Sequence, residues 1–265
     1  MFWTRLASGI VLMIVAIALM VTGGDILFWA ITVISLIGLY ELYRTVGMER
    51  TVPAGIAYAA SIVLDLVLRA EAHVYYLPVL IAAMMLFMAC YVVTFPRFRS
   101  EQIVMLVFGL VYVTTMLSFV YQVRMLEYGI FLVWLIFVGA WGSDTCAYCV
   151  GKLIGKHKMP SKLSPNKTIE GCVGGVIGAA LIGLIYAAAL HSSQNMCLAF
   201  ALIGAVSSVI SQIGDLAASA IKRDHDIKDY GHLIPGHGGI LDRFDSIIFT
   251  APVVYYLIEI TQSYI

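Results

Sequence analysis

The sequence predicts an all-α, polytopic integral membrane protein of about nine transmembrane helices. Three observations carry that reading. Hydrophobic residues make up 61% of the 265 and charged residues 12%, against about 45–50% and about 25% in soluble domains. Runs of roughly 20 mostly apolar residues, the length that crosses a bilayer as a helix, follow one another along the chain. The few charges gather between these runs instead of spreading over a surface.

Read in order, the apolar runs are 6–22, 26–43, 52–69, 74–95, 102–120, 128–150, 171–190, 196–217 and 247–264. The first follows Arg5 and resembles a signal peptide, but it has no small-residue cleavage site and eight further runs follow. It is read as a retained helix. Five helices over 1–127 form an N-terminal scaffold. Residues 128–265 form a C-terminal catalytic region with two long loops, 151–170 and 218–246, the whole being one integrated membrane domain.

Charge orients the chain. With a cytoplasmic N-terminus, the inside segments hold Arg5, Arg44, Arg50, Arg97, Arg99, Lys152, Lys156, Lys158, Lys162, Lys167, Lys222, Arg223, Lys228 and Arg243. Only Arg69 and Arg124 fall outside. Basic residues favour the cytoplasmic side, so both long loops, and an active site built from them, are expected to face the cytoplasm. Net charge is zero, which argues against a nucleic-acid partner. Five cysteines in apolar stretches do not suggest a disulfide framework. The Cys146-x-x-Cys149 pair has no second pair or ligating histidine nearby, so buried small hydrophobes is the simpler reading.

Carboxylates inside a membrane are costly and mark function by default. Asp144, in WGSDTCAY, lies near the cytoplasmic end of the sixth run, and Asp215, in IGDLAAS, near that of the eighth. Two such groups meeting at one depth would suit a hard divalent cation. Glu41 and Glu259, close to run ends, are expected to reach toward headgroups. Asp65 is expected to pair with Arg69 one helical turn away. All three are assigned to structure.

The densest polar stretch runs from Ser219 to Asp245. Lys222, Arg223 and Lys228 bring positive charge; Asp224, Asp226, Asp229, Asp242 and Asp245 bring oxygen ligands. Gly236, Gly238 and Gly239 leave room for backbone N–H groups to approach a phosphate. Acids, bases and glycines together are what metal-assisted phosphoryl chemistry requires. Asp242 and Asp245, three apart, would share one face of a helix leading into the last run. His225 and His232 read as ordinary loop residues. In the other loop, Gly151–Lys156 lacks the spacing of a P-loop. Ser164, Asn166, Lys167 and Thr168 precede the seventh run and would place polar groups at a helix N-terminus, which attracts phosphate; a basic cluster gripping anionic lipid is compatible with that. The overlapping Gly171/Gly175 and Gly174/Gly178 patterns read as close helix packing.

The series Ser219-x-x-Lys222-Arg223-x4-Lys228-Asp229-x-Gly231-x-x-Ile234-Pro235-x-His237-Gly238-Gly239-x-x-Asp242-Arg243-x-Asp245 resembles the signature of the phosphatidate cytidylyltransferases, the CDP-diacylglycerol synthases. The WGSDTCAY and SPNKTIEG segments and the nine-span layout are also similar to that family. The resemblance implies transfer of CMP from CTP to phosphatidate, giving CDP-diacylglycerol and pyrophosphate for phospholipid biosynthesis. It implies magnesium, with a monovalent cation such as potassium beside it, and Asp215 and Asp242 as metal ligands. Asp144, Lys167, Lys222, Arg223, Lys228, Asp229, His237 and Asp245 are the catalytic candidates. Ser164, Asn166, Thr168, Gly236, Gly238, Gly239 and Arg243 are the substrate-binding candidates. The partners would be CTP, phosphatidate and membrane lipid, in a bacterial cytoplasmic (inner) membrane; a homodimer is left open. A CTP-dependent polyprenol or phytol kinase is the neighbouring enzyme reading. An ion-coupled transporter is the weaker one, because the charges cluster at one end with no matching set in the first half.

Overall fold

The structure is a computed structural model and describes residues 2–159, 163–164, 167–234, 236 and 238–261. Among these the regular structure is all helix, with no strand and only two isolated bridges, Lys158↔Thr168 and Ile234↔Gly238. Eight helical segments are long and apolar enough to cross a membrane. The first expected span falls in a ninth helix, α1 (Phe2–Thr22).

The chain divides into two compact units: Met1–Tyr121 with His225–Arg243, and Gln122–Asp224 with Phe244–Ile265. The first is built on α2 (Gly24–Arg44), α3 (Val52–Arg69), α4 (Tyr76–Thr94) and α5 (Ser100–Gly109), the last continuing through a π-helical turn into α6 (Met116–Met125). Helix α3 starts where the Thr51 side chain accepts the N–H of Ala54, with Pro53 in the first turn, the residue types that satisfy or dispense with the unpaired donors of a helix start. Tyr43 on α2 is fully buried and donates to Leu106 O at 2.9 Å. The π-helical turn Leu110–Thr115 inserts an extra residue into the span; Thr115 Oγ1 donates back to Leu110 O, and Thr114 meets Ser61 of α3. Asp65 does not pair with Arg69 as expected. It is buried at 3% exposure, and Arg69 instead meets Asp25 of α2 at 2.6 Å. The arginine can reach water from the helix end, whereas Asp65 lies on the buried face one turn earlier.

In the second unit the short helices α7 (Gly129–Leu132) and α8 (Trp134–Phe137) and a π-helical turn, Val138–Gly142, lead into α9 (Ser143–Ile154). Helices α9, α10 (Ile169–Ala189) and α11 (Gln194–Asp224) pack closely. The small-residue pattern has the packing role expected of it. Gly171 and Gly175 bring α10 against the main-chain carbonyls of Ala147 and Ser143. Ser143 and Ser208 share a 2.6 Å hydrogen bond between α9 and α11. Without an apolar-versus-water contrast to drive association, such close contacts and polar links hold membrane helices together.

Two boundaries differ from the sequence expectation. Helix α11 continues to Asp224 and does not stop near 217, because no glycine or proline interrupts LAASAIKRD. Lys222 and Arg223 are therefore on its last turn, where cations complement the helix C-terminus. The last helix, α12 (Leu241–Thr261), begins before the apolar run at 247 and, as expected, carries Asp242 and Asp245 in its first two turns.

Candidate functional site

In the second unit the loop before α10 ends at Thr168, which caps the helix: its Oγ1 accepts the N–H of Gly171 at 3.1 Å. The adjacent Lys167 pairs through Nζ with Oδ2 of Asp215 on α11. Lys167 also donates its backbone N–H to Ser164 O at 3.2 Å, and Met159 N–H returns to Lys167 O at 2.9 Å. These bonds fix the lysine between the loop and the membrane helices.

Lys167 and Asp215 lie at the wall of a cavity of about 610 Å³ with Asp144, Tyr148, Lys152, Thr168 and Gln212. That volume is within the roughly 300–1,000 Å³ range of small-molecule sites. Both intramembrane aspartates singled out in the sequence thus line one space. Ala147, Gly151, Gly171 and Cys172 complete it with small side chains. Gln212 is held by donation from Nε2 to Cys172 O at 3.1 Å. The cavity offers two carboxylates, two lysines, two hydroxyls and an amide. Such a set can neutralise phosphates and present oxygen ligands while its apolar walls accept lipid. Sequence reading missed Gln212, Tyr148 and Lys152; only the 3.6-residue period, counted from Asp215 and Asp144 along their helices, marks them as neighbours.

In the first unit, among the described residues before α12, the N–H of Ile234 donates to Gly238 O at 2.9 Å and draws the loop together. Asp242, buried at 6% exposure, accepts through Oδ2 from the N–H groups of Tyr230 (2.8 Å) and Gly239 (3.0 Å). Glu41 of α2 accepts from the N–H groups of Ile240 (3.1 Å) and Leu241 (2.8 Å). Arg44, one turn on, donates to Tyr230 O. A Cβ at Gly231 or Gly239 would collide with the Glu41 carboxylate. Gly238 has φ +85, and a side chain there would crowd Asp242 and Asp229, so glycine is required for backbone as well as space.

Glu41 is thus not turned toward headgroups as expected. It is 4% exposed and bonded to the loop, because a carboxylate inside the protein gains more from two N–H donors than a four-residue reach to the interface would provide. Its intramembrane position was the signal; its partners were not readable. Lys228, Asp229, Gly236, Gly238, Gly239, Asp242 and Arg243 belong to the first unit, and Lys222, Arg223 and Asp245 to the second. Asp245 is 8% exposed and accepts the N–H of Ser246. Cys146 and Cys149 are free thiols beside a separate apolar groove between α9 and α10. Asn166 and His237 lie outside the described residues.

Comparison with known proteins places the chain in a family. The model of the Cytidylyltransferase family matches residues 3–261. A Staphylococcus epidermidis protein named phosphatidate cytidylyltransferase is 33% identical over 257 residues, 96% of this chain and 98% of its own length. One from Staphylococcus aureus is 31% identical over 259 residues, with the same shares. One from Bacillus subtilis is 38% identical over 166 residues, 62% of this chain and 61% of its own length. The family match runs through both units, with the cavity and the glycine loop inside it, and the chain belongs to the cytidylyltransferase family of membrane nucleotidyltransferases.

Proposed function

We propose that the protein is a phosphatidate cytidylyltransferase, transferring CMP from CTP to phosphatidate and releasing pyrophosphate. The observation that carries the reading is the cavity holding Asp144, Asp215 and Lys167 among small apolar walls, in a chain aligned over nearly its whole length with relatives of that name. An anionic headgroup with acyl chains needs both kinds of lining. The bacterial relatives support an inner-membrane enzyme, and the distribution of basic residues supports a site that faces the cytoplasm, where CTP is found.

In the proposed reaction a phosphatidate oxygen attacks the α-phosphorus of CTP in line, the bond to the bridging oxygen breaks, and pyrophosphate leaves. No covalent enzyme intermediate is required, so positioning and charge neutralisation dominate. Lys167 is placed to hold phosphate oxygens, with Thr168 and Lys152 beside it. Lys222 and Arg223, at the end of α11, add positive charge. Asp144 provides polar support, and Gln212 restrains the wall.

Magnesium is part of the proposal. Such an ion binds through one or two carboxylates plus substrate phosphates and retains waters. The paired carboxylates of one cavity fit that open mode, and among the described residues no group of three or more His, Cys, Asp or Glu offers a closed cage. As the family resemblance implies, Asp215 of the cavity and, separately, Asp242 of the first unit are each proposed as a ligand; when bound, the ion supplies neutralisation of phosphate charge. A monovalent cation beside it belongs to the same proposal.

The test is an assay of purified protein with phosphatidate, magnesium and CTP labelled separately at the α- and γ-phosphates. We expect α-label in lipid and γ-label in pyrophosphate, with turnover stopped by a chelator and restored by magnesium. Transfer of γ-label to a supplied polyprenol or phytol would establish a kinase instead.

A further inference from the structure

We propose that Glu41 is a positioning residue for the nucleotidyl transfer, acting from the N-terminal scaffold by capping α12 and so fixing Asp242; the inference rests on the function proposed above. A helix start leaves its first backbone N–H groups without partners in the helix. The usual remedy is a Ser, Thr, Asp or Asn just before it, but Gly239 and Ile240 precede Leu241 here. Glu41 takes that place from another helix, accepting from Ile240 and Leu241 with its two oxygens. A carboxylate at this end also complements the helix dipole.

The other limb of the loop is held from the same turn of α2, where Arg44 donates to Tyr230 O. Between these two grips, Asp242 accepts from Tyr230 and Gly239. The glycines at 231 and 239 are what allow the Glu41 carboxylate to enter. Loop, aspartate and helix start therefore share one anchor, Glu41. Its effect on chemistry passes through Asp242.

Amide exchange and kinetics test this on the full-length protein in lipid nanodiscs. In the wild type, the amides of Ile240 and Leu241 should be among the slowest to exchange within His225–Arg243; fast exchange there overturns the proposal without any variant. Glu41→Ala should accelerate exchange across 229–242 and lower kcat by about 10- to 100-fold, the scale of a small misplacement of a reacting group, leaving KM for phosphatidate unchanged. Glu41→Gln, which keeps the shape and one acceptor, should recover part of both losses. Asp65→Asn, altering a buried carboxylate of the same unit with no bond to the loop, is the stability control. If it lowers kcat as far as Glu41→Ala at equal loss of Tm, or if both Glu41 variants keep normal kcat, the positioning role is wrong. A wild type with slow exchange at 240–241 but no CMP transfer would sink the proposed function and the catalytic half of this inference, while upholding the cap itself.

Discussion

Asp215 meets Lys167 at a cavity wall, with side-chain exposures of 31% and 27%, whereas Glu41 and Asp242 are 4% and 6% exposed and receive main-chain N–H groups. Asp215 and Glu41 both lie in apolar runs and look alike in sequence. The first pair is held by a flexible partner and borders space that a ligand can enter. The second is embedded in backbone whose geometry it sets. A carboxylate satisfied by a side chain can exchange that partner for substrate or ion; one satisfied by amides cannot do so without reshaping the chain. Asp242 is of the second kind, and a side chain at Gly238 would crowd it.

The sharpest way to break this comparison is Asp215→Asn, which keeps shape and removes charge. On the proposed mechanism kcat should fall by about 100- to 1,000-fold, the range for losing a charge-stabilising group, with little change in unfolding temperature. Near-normal turnover would move Asp215 to structure. Gly239→Ala probes the other region. Its added methyl collides with Glu41, and overpacking of this kind costs about 1–3 kcal/mol, read as lower unfolding temperature together with reduced turnover.

Smaller effects sharpen the boundary between packing and chemistry. Ser143→Ala removes the bond to Ser208 and should cost about 0.6 kcal/mol, the average for such links in membranes. Turnover should be unchanged, since neither serine borders the cavity; a large kinetic loss would show that α9 and α11 must be held more exactly than packing alone requires. Asp25→Asn breaks an exposed pair with Arg69, worth less than about 1 kcal/mol, and should be detectable only at low salt.

Much of the site was legible because membrane insertion penalises charge so heavily that each retained aspartate stands out. Asp144 and Asp215 were found that way, and they do line one cavity; the 219–245 motif stood out as the densest polar stretch between runs. Glu41 stood out equally, yet its distance from the helix end suggested an outward reach. What reversed that reading was a loop some 200 residues later in the chain, a separation that no local period can bridge. The extension of α11 through Lys222 and Arg223 was missed for a different reason: polarity was taken as the end of the helix, although polarity ends only the apolar part.

The sequence by itself determined an all-helical membrane chain, the order of its spans and the residues able to carry phosphoryl chemistry, because apolar length and charge cost are local properties. Tertiary structure alone decided which carboxylate faces a cavity and which caps a helix. It also assigned His225–Arg243 to the same compact unit as the N-terminal helices. Hydrogen bonds of about 3 Å depend on the meeting of distant segments, and that meeting is set by packing, not by spacing along the chain.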